Sequence, residues 1–575
     1  MAEAVPTPVS SQESLPTEES LPIYSEQVDP TLEIVDESNT VDEQPQAEKK
    51  EKLDPLAYTK TGDFTSEIYK IFIDNIPIYV PPREFKNFLI KKLQLDPVKV
   101  KRPLKKSWAH VTFRNEEDRQ AAIKLLNSLK WKNSSKEHFM CKEAAPSADP
   151  YAVNELRGEN KIVDMASLRE KTAPLHKMPY EDQVQSKLAD IRKVFEMYKK
   201  SLMKAWPSSF PEDDYQFTLD TMKASPSLTG YRNKCEFTIG RCTETDDQYA
   251  VGFVKGSYKI GNISVGDPKE CVEICSEAML SAAADFKLFI STSDYPAYNG
   301  TTNHGVWKTF EVRTNRKGDM MVTACIDIKK ILNEDKENIC DMVRSHYLKY
   351  PEWSVFVKYT GRGEKYVHIQ GAEILSEHLC GFDFQITPGS FFQVNTEAAE
   401  VLYRTIADTC VLDKETILLD VCCGTGTIGI ILSEHVKHVH GIEIVEVAVE
   451  DAKKNAARNK IVNISFHAGN AKTVTNNVIR SLRHDNPVNQ RIVAIVDPPR
   501  SGLHADVIVS LRNCAAIKEL IYVSCDVTLI TENVVNLCKP TSFKYGGNPF
   551  KWESAVAVDM FPHTKKFEVV MHFKR

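Results

Sequence analysis

Apolar and polar positions change rhythm several times along the chain, and each change predicts a different kind of element. From Tyr69 a β-like run (YKIFIDNIP) gives way to a helical pattern from Pro82 to Leu93, a second β-like run (SWAHVTF) and a second helical pattern from Glu116 to Leu129, closing near Lys142. That order predicts a small α/β sandwich over residues 62–145. Within a linker at 150–210, Leu188, Ile191, Phe195, Tyr198 and Leu202 recur at helical spacing and predict an amphipathic helix over 178–205. Residues 211–385 carry short β-like runs (KCEFTIG, YAVGFVKG, MMVTACIDI, KYVHIQG) punctuated by Gly, Asn and Asp, so a β-rich domain is expected there. From 386 to 575 apolar runs (TILLDVC, HVHGIEIV, RIVAIVDPP, ELIYVSC) alternate with helical stretches, the pattern of a Rossmann-like, doubly wound parallel sheet. The chain reads as a multidomain α/β protein.

Composition adds a tail and a compartment. Residues 1–60 are rich in acids, Ser, Pro and Gln with few aromatics, so they cannot bury enough apolar surface to offset the entropy of ordering and are expected to be disordered. Residues 1–48 alone hold twelve acids and no Lys or Arg; setting them aside turns the net charge of -6 into +6, compatible with a phosphate-bearing partner. No apolar run reaches the roughly 18 residues that span a bilayer, and the start lacks the order of a secretory signal. The fourteen cysteines fall at irregular intervals without a C-x-x-C pair, as reduced thiols do. A cytosolic protein, present also in the nucleus, with no metal, no iron–sulfur cluster, no membrane and no DNA partner is expected.

The chemistry concentrates in the C-terminal third. In Asp420-Val421-Cys422-Cys423-Gly424-Thr425-Gly426, glycines at a strand-to-helix turn let the backbone close on a ligand. Gly424, Gly426 and Gly429 also fit G-x-G-x-x-G, so a nicotinamide dehydrogenase is a rival. Glu443, ending the next strand, can accept hydrogen bonds from the ribose of either an NAD or an S-adenosylmethionine adenosine. Asp420 separates them: a carboxylate there would repel a pyrophosphate but hold the cationic end of S-adenosylmethionine. Asn470 could bond the adenine edge or serve as a turn residue.

Two further strand ends carry Asp497-Pro498-Pro499-Arg500 and Ser524-Cys525-Asp526, at the edge where open α/β sheets bind ligands. A pyrimidine would explain a cysteine beside a methyl donor. Carbon 5 of uracil is too weak a nucleophile to take a methyl group until a thiolate adds to carbon 6, and the adduct must then lose its carbon-5 proton to a base. Cys525 is the candidate nucleophile and Glu568, in PHTKKFEVV, the candidate base.

These segments resemble the tRNA and rRNA (uracil-5-)-methyltransferases typified by TrmA and RlmD: SFFQVN (390–395), DVCCGTG, GIEIV, VDPPRSG, YVSCD and HTKKFE occur in family order over residues 380–575. The resemblance implies that Gln393, Glu443 and Asp497 contact S-adenosylmethionine, that Cys525 and Glu568 act as nucleophile and base, that Arg500 supports them, and that the substrate is the T-loop uridine of tRNA. YRNKCEFTIG (231–240) is similar to the family's RNA-facing β segment, leaving Arg232 and Lys234 for phosphate. The RlmD-like branch carries an iron–sulfur cluster for which this chain has no spaced cysteine set, which favours a TrmA-like tRNA substrate; Cys422 stands at a position often aromatic in that branch. Near the N-terminus, Ile71-Phe72-Ile73-Asp74-Asn75-Ile76 and Lys106-Ser107-Trp108-Ala109-His110-Val111-Thr112-Phe113 resemble the two signatures of an RNA-recognition motif, and strand alternation puts Phe72, Trp108 and His110 on one open face. Methylation of rRNA or mRNA uridine, and a non-catalytic RNA-binding or chaperone role, remain the alternatives.

Overall fold

The computed structural model describes residues 69–575 apart from 104–105, 114, 130–137, 146–166, 207–209, 243–244, 246, 256–263, 300–303, 330, 362 and 486–490. The expectation of disorder for residues 1–60 falls outside the described residues. Among the described residues, no helix is long and apolar enough to cross a membrane.

Near the N-terminus a four-stranded antiparallel sheet runs in the order Lys99–Lys101, Ala109–Thr112, Lys70–Asp74, Met140–Glu143. Strand alternation divides it cleanly: Ile71, Ile73, Ala109 and Val111 are buried with Phe85 and Leu89, while Phe72 and His110, paired across the sheet, stay half-exposed. The helix Glu116–Asn127 starts where the Asn115 side chain accepts the Asp118 amide at 2.8 Å. The first helix, Pro82–Asn87, passes directly into a wider π turn, Phe88–Lys92.

The central seven-stranded sheet runs Lys365–Gln370, Ser354–Thr360, Met320–Asp327, Trp307–Thr314, Lys234–Cys242, Asp247–Val254, Val265–Gly266; only the Ser354–Thr360 and Met320–Asp327 pair is parallel. The helices Glu277–Ser291 and Asn333–Tyr347 cover one face, stacking Phe286 on Phe310 at 4.1 Å.

The C-terminal sheet has eight strands in the order Ile464–Ala468, His438–Glu443, Ile417–Val421, Ile492–Val496, Ile517–Ser524, Glu568–Lys574, Lys551–Val558, Thr221–Lys223. Its first five strands are parallel, and Glu568–Lys574 runs antiparallel to its neighbours. The inner strands are mainly apolar because both faces are covered, with Asp420 the buried exception in Ile417–Val421. Ile417, Leu419, Val421, Ala494 and Tyr522 point into one core, formed with the helices Tyr180–Ala205, Ala505–Asn513 and Thr531–Cys538. Leu418, Val493, Ile495 and Val523 point into the other, formed with Thr396–Thr409 and Thr427–Leu432.

Two parts of the 211–385 stretch join this C-terminal unit. Thr221–Lys223 is its edge strand, in register with Val556–Val558, and the hairpin Leu375–Leu379 and Phe382–Ile386 packs into its second core. Short strands carry no record in their own sequence of which sheet they will extend. The helix expected at 178–205 spans Tyr180–Ala205, and all five of its apolar stripe residues are buried in the first core of the C-terminal sheet.

Candidate active site

Strand order reverses between Ile417–Val421 and Ile492–Val496, and the carboxyl ends on either side of that switch point form the cleft. The loop after the first strand has Gly424 and Gly426 in the left-handed region, φ 54° and 80°. At Gly426 a side chain is excluded twice, since a Cβ would also lie 2.7 Å from the Phe466 ring. Cys422 adopts φ 67° without being glycine, a strained position held by its amide bond to the Ile442 carbonyl at 2.8 Å.

Three carboxylates surround this loop. Asp420 is fully buried; its Oδ2 accepts the Gly429 amide at 2.9 Å and its Oδ1 has no protein partner. Glu443 is held by three amides, from Gly424 at 3.0 Å on Oε2 and from Ile444 at 2.7 Å and Val445 at 2.9 Å on Oε1, which fixes its direction while leaving acceptor capacity on Oε2. Asp497, just past Ile492–Val496, has its amide bonded to the Val421 carbonyl across the switch point. Burial, with Asp497 and Glu443 adding to it against the Gly429 bond, pushes Asp420 up to about 7, and burial likewise pushes Asp497 up to about 7. A cluster of one buried and two half-buried carboxylates, with an orphaned oxygen and an open glycine turn, suits a ligand bearing positive charge, and the sulfonium and ammonium of S-adenosylmethionine meet that description.

Cys525 follows Ile517–Ser524, and the antiparallel partner of that strand begins at Glu568. Because Ser524 is in register with Val569, the next pair along is Cys525 with Glu568. Burial and the Glu568 charge raise the Cys525 thiol above its ordinary value; the Arg500 guanidinium, within hydrogen-bonding reach, opposes them. Glu568 is 5% exposed, its Oε2 lacks a protein partner, and burial and Asp497 hold it well above the ordinary carboxylate range against Arg500. Arg500 itself is exposed at the mouth.

The remaining sites divide. Gln393 is half-buried and its carbonyl accepts from Asn233 at 2.8 Å, joining the SFFQVN segment to the central domain. Asn470 is exposed beside Gly469, whose amide bonds the Glu443 carbonyl. Arg232 and Lys234 lie apart in character: Arg232 donates to the Lys234 carbonyl, while the half-exposed Lys234 ammonium is paired with Glu311 at 2.9 Å. Phe72 sits 6.1 Å from Trp108 and 5.4 Å from His110, with Lys142 over the Phe72 ring at 5.7 Å. Two neighbours of the cleft escaped sequence reasoning: Tyr403, buried on the helix Thr396–Thr409 near Asp497 and Glu568, and Lys566, which pairs with Asp526 at 3.6 Å and so ties the loop after Cys525 to the loop before Glu568. Among the described residues no group of three or more His, Cys, Asp or Glu is arranged to hold a metal ion.

Residues 306–575 match the family described as tRNA (Uracil-5-)-methyltransferase. The mouse tRNA (uracil-5-)-methyltransferase homolog A is 34% identical over 539 residues, covering 90% of this chain and 86% of that protein. The human homolog A is 34% identical over 539 residues, with 84% of that protein covered. Among solved structures, the tRNA (uracil-54, C5)-methyltransferase of Pyrococcus abyssi in complex with S-adenosyl-L-homocysteine aligns with a TM-score of 0.49 at 21% identity, over 77% of this chain and 91% of that one. The chain belongs to the tRNA (uracil-5-)-methyltransferase family and is an S-adenosylmethionine-dependent RNA methyltransferase.

Proposed function

We propose that the protein methylates carbon 5 of the T-loop uridine of tRNA through a covalent adduct between Cys525 and carbon 6 of the base. The observation that carries this reading is the strand register that sets Cys525 opposite Glu568, with Arg500 beside the thiol. Arg500 favours the thiolate, which adds to carbon 6 and moves the electron pair of the C5–C6 double bond toward carbon 5 and the carbonyl oxygen. S-adenosylmethionine, when bound, supplies a methyl group on a sulfonium. Glu443 would hold its ribose, and Asp420, Asp497 and Gln393 its charged end. After methyl transfer Glu568 takes the carbon-5 proton, the double bond reforms and the carbon–sulfur bond to Cys525 breaks. Its raised proton affinity makes Glu568 a stronger base than a solvated carboxylate.

The N-terminal sheet has the strand order of an RNA-recognition motif, and its half-exposed Phe72, Trp108 and His110, with Lys142, offer a stacking platform of aromatic and basic character. In this reading it holds tRNA outside the cleft while Arg232 meets backbone phosphate. The test is tritium release from unmodified tRNA labelled at uridine carbon 5, followed by mapping of the product. Release dependent on S-adenosylmethionine, with 5-methyluridine in the T-loop, is expected. Methylation confined to rRNA or mRNA would move the substrate, and no release from any of these RNAs would overturn the carbon-5 uridine reading.

A further inference from the structure

The helix Tyr180–Ala205 buries an apolar stripe, yet two polar residues one turn apart on that buried side, Gln183 and Lys187, are 0% and 2% exposed. Polar and charged groups persist in such places only with partners. Gln183 Nε2 donates to the Met178 carbonyl at 2.9 Å, and the other side-chain partners of the two residues lie on one loop, the hairpin connection between Lys551–Val558 and Glu568–Lys574. Lys187 Nζ donates to Asp559 Oδ1 at 2.7 Å and to the Phe561 carbonyl at 3.1 Å. Gln183 Oε1 accepts the His563 amide at 2.8 Å, and its Nε2 lies 3.1 Å from His563 Nδ1. Asp559 directly follows Val558, the register partner of Glu568. Further along the helix, the Tyr198 hydroxyl donates to the carbonyl of Val527, two residues past Cys525.

At 100° per residue the three side chains fall within about 60° of one another, on one face of a rod about 22 Å long from Gln183 to Tyr198. One rigid element therefore braces both loops of the proposed chemistry. We propose that this helix is a strut of the active site in which Gln183 and Lys187 are positioning residues for Glu568 and Tyr198 is a positioning residue for Cys525. The proposal rests on the covalent reading above and deepens it by assigning each end of the strut to a different step. The hairpin is also supported by Asn395, which donates to the Met560 carbonyl at 3.1 Å, and by Tyr231, whose hydroxyl donates to the Pro562 carbonyl at 3.1 Å and brings the central domain to bear on the same loop.

The experiment uses the full chain, unmodified tRNA and methyl-labelled S-adenosylmethionine, and measures adduct formation and release of methylated RNA separately. Displacing a catalytic group by about 1 Å costs up to about 10²-fold in its own step. Gln183→Ala and Lys187→Met should form adduct at near the parent rate and release product at least about 10-fold more slowly, so labelled adduct builds up as it does in Glu568→Gln. Tyr198→Phe should slow adduct formation without any build-up. Lys187→Met leaves Asp559 unpaired, so the pair Lys187→Met with Asp559→Asn, which removes both charges, is the second variant and should show the same release defect. Parent rates for both steps per folded molecule, or equal slowing of both in every variant, would overturn the strut while a trapped adduct in Glu568→Gln upholds the chemistry. No adduct in Glu568→Gln would overturn the covalent reading and the strut with it.

Discussion

The open face of the N-terminal sheet and the cleft of the C-terminal sheet are both read as contacts for one RNA, but they are built in opposite ways. Phe72, Trp108 and His110 stand half-exposed on or beside antiparallel strands, in contact with one another and overlaid by the exposed charge of Lys142. Cys525, Glu568, Asp497 and Asp420 sit at the ends of deeply buried strands, with titration shifted by burial and by one another. A surface of the first kind binds by area and stacking, and its residues act independently. A site of the second kind works by holding charge where water cannot screen it, and its residues act as a set. Removing a group from the cleft should therefore change rates by orders of magnitude, and removing one from the face should change affinity modestly.

The largest effect is expected from Cys525→Ala, which should abolish turnover and any RNA adduct stable to denaturation while leaving S-adenosylmethionine binding intact by calorimetry. Turnover near the parent value would remove the thiolate from the chemistry.

Next in size is a pH effect on the free protein. Asp420 and Asp497 bind protons more tightly when folded than when unfolded, so their contribution to stability is fully present below the ordinary carboxylate range and is lost as pH rises through about 7. At about 1.4 kcal/mol per pKa unit, the loss should be on the order of a few kcal/mol between about pH 5 and 8. Thermal unfolding should show a falling midpoint over that range, a flatter profile in Asp497→Asn, and a larger stabilisation by S-adenosylmethionine at the alkaline end. A midpoint that rises with pH in step with the parent in both proteins would remove these carboxylates as the source of the shift.

The smallest effect belongs to the open face. Phe72→Ala with Trp108→Ala should weaken tRNA binding by roughly 1–3 kcal/mol per stacked base with the rate of methyl transfer at saturation preserved. Filter binding and single-turnover kinetics separate the two quantities, and unchanged affinity would leave this face to a protein partner.

How much of this was legible beforehand follows from the range of the forces involved. The inner strands of the C-terminal sheet announce themselves because burial on both faces demands nearly continuous apolar runs, complete in Ile492–Val496 and interrupted in Ile417–Val421 by Asp420. The glycine turn and the acids at strand ends are equally local. The pairing of Lys234 with Glu311 is not, because it joins two strands far apart in sequence. Gln183 and Lys187 look like ordinary solvent-facing residues until the hairpin 370 residues later folds onto them. The adjacency of Cys525 and Glu568 depended on the last strand turning antiparallel, a reversal that periodicity cannot express.

The most direct measurement of the covalent mechanism is a denaturing gel of Glu568→Gln incubated with unmodified tRNA and methyl-labelled S-adenosylmethionine. Glutamine keeps the shape of the side chain but cannot take the carbon-5 proton, and loss of a general base costs about 10²–10⁴-fold in its step. The expected result is a slow-migrating RNA–protein band that carries the labelled methyl group and disappears when Cys525 is also replaced by Ala. Release of methylated tRNA at the parent rate, with no trapped band, would contradict it and assign the proton to another acceptor in the cleft.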